Sequence, residues 1–297
     1  MTNLYHFIPF ILLLVPLIYG LIGYFKNRGV QKKEITRQST GKTIINSAIL
    51  YALSFNVVFF VQELYLALGK KWLGLKAYLY HNNHNWDGSH PKEGLAQGLG
   101  ALAILILGLV AAALMRFAKK KSWIYVLLAW ISFQGFAQSL PQFITAFIAR
   151  DTDTGQAFTY LKISDTTGLL ISLACIFVML WICTLYSRIF LELSPNSSMV
   201  STSSSRFGFL FRITLIAAFI GAIICIPYRI MPWGRAAAPF MVTLITVPMI
   251  WAYGWKVSNV KTYDNSINHK IILWPIVISV LLLLFFQLVL AKGLVFE

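Results

Sequence analysis

The stretch YHNNHNWDGSH, residues 80 to 90, holds three histidines, three asparagines, a tryptophan and an aspartate in a largely apolar chain. His81, His84, Asp87 and His90 follow one another at intervals of three. On a helix that interval puts side chains on one face, where imidazoles and a carboxylate can ligate zinc or another transition metal. The same groups can act as acids and bases, since histidine titrates in the useful range. Asn82, Asn83, Gly88 and Pro91 favour turns over a helix, which weakens the spacing argument. The competing reading is a polar loop, with Trp86 seated at the level of lipid headgroups.

A second set of polar groups lies inside apolar runs. In IINSAILYALSFNVVFFVQELYLALG, residues 44 to 69, Gln62 and Glu63 follow Asn56, which stands seven residues before Glu63 on the same helical face. A carboxylate at membrane depth costs about 2.5–3.5 kcal/mol by insertion scales, so it needs a partner or a task. Glu63 therefore reads as a site carboxylate, or else as a group snorkelling to the interface or pairing with Lys70 or Lys71. Further on, ISFQGFAQSLPQFITAFIARDTDTGQAFTYL places Gln134 and Gln138 four apart before Pro141. The proline predicts a break or kink, whose freed carbonyls polar side chains can satisfy. Asp151 and Asp153 then precede Gly155 in an acidic turn.

The elements that position these groups follow from composition. Of 297 residues 58% are apolar and 12% charged, with a mean hydropathy of +0.71. A soluble fold of this length cannot cover its surface with so few charges, so lipid is the solvent for much of it. The fold class expected is all-α, a polytopic membrane protein with about eight transmembrane helices near 5–25, 44–69, 95–115, 123–149, 166–190, 208–228, 236–255 and 271–291. Continuous apolarity excludes barrel strands, which alternate. The net charge of +15 comes from Lys and Arg in short loops, a pattern of membrane topology rather than of nucleic-acid binding. The odd-numbered loops carry the richer share, led by KNRGVQKKEITRQSTGK, which puts them in the cytoplasm and both termini outside, in a bacterial inner membrane.

The N-terminus has no basic region before its apolar run and reads as a first span that stays. Cys175, Cys183 and Cys225 all fall in apolar segments, so no disulfide framework or zinc ribbon is implied. SPNSSMVSTSSSR, residues 194 to 206, reads as a mobile loop dividing a five-span region, 1–193, from a three-span region, 208–297. Arg212, Arg229 and Arg235 near Pro227 and Pro232 read as snorkelling cations, or as contacts to anions or lipid headgroups.

The order of the polar motifs resembles the core of the site-2 protease family of intramembrane zinc metalloproteases, over about residues 44 to 165. FFVQELYLALGKKWLGLKAYLYH is similar to the region beginning at that family's HExxH helix. LAQGLGALAILILGL is similar to its later span with small residues, and DTDTGQA to its aspartate turn. The resemblance implies that Glu63 stands at the general-base position and Asp153 or Asp151 at the third-ligand position. Gln62 and Leu66 stand where the two histidine ligands belong. Leucine cannot bind zinc and an amide is a poor ligand beside imidazole. Without a metal-activated water the carboxylate has no hydroxide to help generate. The resemblance therefore implies a catalytically inactive relative that binds or scaffolds a membrane-protein partner and needs no cofactor. Its polar cavity would hold Asn56, Gln62, Glu63, Gln134, Gln138, Asp151 and Asp153. Two alternatives stand beside it: an enzyme with a metal or acid–base site in the 81–90 loop, and a transporter or structural subunit.

Overall fold

The structure, a computed structural model, describes residues 8–27, 37–229 and 237–297. Most of the basic loop after the first helix, together with Pro232 and Arg235, lies outside the described residues. Helix α1 covers Ile8–Lys26 and α2 Arg37–Trp72, followed by strands β1, Lys76–Leu79, and β2, His84–Asp87. Then come α3, Glu93–Leu114, α4, Trp123–Thr145, the short α5, Asp153–Tyr160, and α6, Asp165–Glu192. Helix α7, Ser203–Leu210, runs through a π-helical turn, Phe211–Ile216, into α8, Ala217–Cys225. Helices α9, Ala238–Ile245, α10, Val247–Tyr253, and α11, Leu273–Leu288, precede a last strand, β3, Leu294–Phe296.

Among the described residues, six helical segments are long and apolar enough to cross a membrane: Gly41–Trp72, Glu93–Leu114, Trp123–Thr145, Asp165–Glu192, Ser203–Arg229 and Leu273–Lys292. Two apolar helices, Leu14–Lys26 and Ala238–Tyr253, are shorter. Polar caps set several boundaries by satisfying otherwise unpaired amides. Ser122 accepts from the Tyr125 amide, Thr152 from Gly155 and Ser164 from Thr167.

Helices α3 and α4 cross where both lack side chains. A Cβ on Gly135 would lie 2.7 Å from the Gly108 Cα, and the Ser132 hydroxyl donates to the Gly108 carbonyl at 2.7 Å. Small residues of this kind let membrane helices approach backbone to backbone. The main core centres on Trp130, whose ring lies 4.5 Å from Phe190 and 5.0 Å from Tyr51.

Several expectations change. The 80–90 stretch contains a strand, β2: β1 pairs antiparallel with β2 and with β3 in a small sheet of order β2-β1-β3. Pro141 does not end α4, which continues to Thr145 while the Gln142 side chain donates to the Gln138 carbonyl at 2.9 Å. The Ser/Thr-rich stretch holds a 3-10 turn, Ser197–Val200, and its last four residues open α7, where Thr202 and Ser205 form a reciprocal capping box. The main core draws on both sides of that stretch, with Phe190, Ile213, Val247 and Ile272 in one cluster.

The bundle has two chemically different ends. At one, α2 finishes and the β1–β2 hairpin folds over it. At the other, the loop of Lys119 to Ser122, the end of α6 and the segment before α11 gather. There Asn265 donates to the carbonyls of Lys120 and Ser122, Asn268 to that of Leu193, and Lys42 to that of His269.

Candidate functional site

Asn56, Glu63 and Lys70 are seven residues apart on α2. Seven residues fall about 20° short of two full helical turns, so the three share one stripe. All three are buried, with Asn56 and Lys70 fully so. The hairpin faces this stripe. Strand alternation turns Ala77, Leu79, His84 and Trp86 inward, while Lys76, Tyr78, Asn85 and Asp87 point out. Tyr78 donates to the Asp87 carboxylate at 2.6 Å on that outer face, which raises its phenol above the ordinary value.

Each position on the stripe meets a residue of the hairpin. Asn82, at the tip, and Asn56 accept from two nitrogens of the same guanidinium, Arg229, at 3.2 and 3.1 Å. That guanidinium is wholly buried and lies 3.7 Å above the Phe59 ring. His84 Nδ1 lies 2.9 Å from Glu63 Oε2, with side-chain exposures of 8% and 4%. Trp86 presents its ring 4.2 Å from the Lys70 ammonium, which also donates to the Glu93 carbonyl at 2.8 Å. The tip therefore reaches well down α2: from Trp72 back to Asn56 is about 24 Å of helix at 1.5 Å per residue. Irregular backbone at such depth is tolerated because protein surrounds it and the strands satisfy each other.

An ionised carboxylate only accepts hydrogen bonds. Against ionised Glu63, His84 Nδ1–H is the donor and a neutral ring keeps its lone pair on Nε2. That nitrogen is buried and has no hydrogen-bond partner among the described residues. A carboxylate that fixes an imidazole's tautomer in this way prepares the far nitrogen as a base, a hydrogen-bond acceptor or a metal ligand.

A second polar cluster occupies the adjoining face of α2. Gln62 accepts from Gln142 at 3.2 Å, and Thr154, on α5, donates to the Gln142 carbonyl oxygen of its amide at 3.4 Å. Gln138 donates to Gln134 at 3.0 Å one turn deeper. Gln97 lies on the α3 stripe that also carries Gly108, the residue abutting α4. Gln97 Oε1 and Gln134 Nε2 are buried without hydrogen-bond partners among the described residues. Because Gln62 and Glu63 are adjacent, the two clusters share one turn of α2.

The structure brings Asn56, Glu63 and His84 together under the hairpin, and Gln62, Gln134 and Gln138 beside them. Glu63 pairs with His84, not with Lys70 or Lys71, and does not snorkel to an interface. Asp153 opens α5 and acts electrostatically on Lys70, whereas Asp151 is exposed. The four residues His81, His84, Asp87 and His90 do not share a face. Strand alternation turns Asp87 away from His84, and His90 Nδ1 accepts from the Lys92 amide at 3.1 Å. Among the described residues no group of three His, Cys, Asp or Glu side chains is placed to hold a metal ion. Arg229 is a correction: it is an interior group, not a snorkelling one. Asn82, Lys70, Gln97, Gln142 and Thr154 join the site without having been singled out as site residues. Of these, Lys70 carried a sequence signal in its spacing, two heptad-like steps from Asn56.

The helices, their length and their exposed apolar faces make this an all-α, multi-pass membrane protein. Comparison with family models, with curated proteins and with solved structures gives no match.

Proposed function

We propose that the chain is a binding or scaffolding protein of the bacterial inner membrane that recognises a polar group on a membrane-embedded partner at the cluster beneath the hairpin. The observation that carries this reading is the buried Glu63–His84 pair, with His84 Nε2 buried and without a hydrogen-bond partner among the described residues. Buried polar atoms are normally hydrogen-bonded, so a donor brought by a partner is worth more here than at a wet surface. An apolar groove of about 420 Å³, between the end of α2, α3 and α5, reaches Thr154 of the glutamine cluster that shares a turn of α2 with Glu63.

The proposal includes eight crossings, with the hairpin and both termini on the non-cytoplasmic side and the Lys-rich end in the cytoplasm. It also includes descent from the site-2 protease fold, with Glu63 and Asp153 as remnants of that site. Leu66, in place of a ligand, is fully buried, and a Cβ on Gly100 would lie 2.8 Å from it.

A photo-crosslinking amino acid at Leu99, in the groove, tests binding in the intact membrane. The expected result is one discrete adduct that His84→Gln abolishes at unchanged chain abundance. An absent adduct, or one indifferent to His84, would overturn the reading. The pair also favours a second reading, an acid–base enzyme with His84 as base. One zinc per purified chain, lost in Glu63→Ala or Asp153→Ala, would overturn the inactive-relative proposal and select a metalloenzyme.

A further inference from the structure

At the end remote from the hairpin, a groove of about 690 Å³ opens between α3, α4 and α6. Tyr125 and Phe136 of α4 lie at its two ends, and Ala112 and Ala113 of α3 leave room along one wall. Trp181 of α6 forms the other wall and is 58% exposed, so the groove opens sideways to lipid. Its mouth carries Arg116 and Lys120, in a run that also holds Lys119 and Lys121.

We infer that this groove binds an anionic phospholipid, with the phosphate at Arg116 and Lys120 and an acyl chain laid along α4. Three observations support that occupant. The first is length: eleven residues of α4 extend about 16 Å, close to one leaflet of a hydrocarbon core about 30 Å thick.

The second is charge. The carboxylate paired at this rim is Glu192, 2.7 Å from Lys120 and 3.8 Å from Arg188, while Arg116 makes no ion pair among the described residues. Glu192 therefore leaves the rim net positive, and basic pockets between membrane helices on the cytoplasmic side suit anionic headgroups. The third is the amphipathic profile itself. The cations stand at one end only, and below them the lining is aromatic and aliphatic. A soluble anion would leave that lower part uncovered.

The test uses the full chain purified from membranes and placed in bilayer nanodiscs holding equal phosphatidylglycerol and phosphatidylcholine, with retained lipid read by native mass spectrometry. The inference predicts preferential retention of phosphatidylglycerol. Arg116→Gln is expected to lower that preference about fivefold, the equivalent of about 1 kcal/mol for one cation near a membrane. Ala112→Trp fills the groove and is expected to abolish retention, whereas Lys162→Gln, remote from the groove, leaves it unchanged. Equal retention of both lipids, or a preference indifferent to Arg116, overturns the inference. So does glycerol 3-phosphate raising the melting temperature as much as phosphatidylglycerol, since the site would then hold a soluble phosphate.

Discussion

Both ends of the bundle pair a carboxylate with a basic side chain, and the two pairs differ in almost everything except distance. At the hairpin end, Glu63 and His84 lie 2.9 Å apart with side-chain exposures of 4% and 8%. At the basic end, Glu192 and Lys120 lie 2.7 Å apart at 14% and 41%. The first pair is surrounded by protein and joins two elements distant in their roles, a spanning helix and a hairpin. The second is half in solvent and holds down a loop. Distance alone does not distinguish a structural or functional pair from a surface one; the surroundings do. Removing one member of a buried pair leaves an uncompensated group in low dielectric, whereas an exposed pair contributes about 0–1 kcal/mol.

The largest expected effect is at Arg229. Arg229→Leu removes the shared donor to Asn56 and Asn82 and detaches the hairpin tip, at a cost of about 3 kcal/mol. A melting temperature in detergent equal to that of the wild type would show that the hairpin end is no more tightly tied than the basic end. Glu63→Ala is expected to cost about 2 kcal/mol by leaving the His84 Nδ1–H without its acceptor. Glu63→Gln, whose amide oxygen can still accept, should recover about half of that loss on the same melting assay. A glutamine as damaging as alanine would show that charge, not hydrogen bonding, dominates.

What the sequence made legible follows from the range of each interaction. The spans could be read because apolarity over about 20 residues is a local property. Glu63 and the glutamines stood out because a polar group in an apolar run is anomalous by itself. The partner of Glu63 was within reach, since His84 belongs to the next connection, yet the three-residue interval suggested a helical face. Strand alternation imposed a different sorting, with His84 in and Asp87 out. Two four-residue strands flanking Asn82 and Asn83 carry too little periodicity to outweigh the turn signals around them. Arg229 was out of reach for another reason. Its partners Asn56 and Asn82 are 173 and 147 residues away, and no local pattern encodes such a meeting. The Ser/Thr-rich stretch reads by composition as a mobile loop, and the start of α7 at its end was not legible because one capping box suffices to begin a helix there.

At the basic end the effects are smaller. Glu192→Ala should cost about 0.2–1 kcal/mol, as exposed pairs do. Burial acts to lower the Lys120 pKa, but the bond and charge of Glu192 outweigh it, and the net shift is upward from 10.5. A raised pKa stabilises the fold below the unfolded value and loses that contribution as the pH rises through the folded one. The difference in melting temperature between wild type and Glu192→Gln should therefore be constant near neutrality and shrink above about pH 10.5. A difference that persists undiminished well above that pH would assign the effect to another group.

The most direct test of the buried pair is a double-mutant cycle on Glu63→Ala and His84→Ala, read by reversible unfolding of the full chain in detergent micelles. The pairing of hairpin and helix predicts a coupling of about 1–2 kcal/mol, within the range for side chains in one buried network. Strictly additive losses, with the double variant as unstable as the two single changes combined, would contradict it.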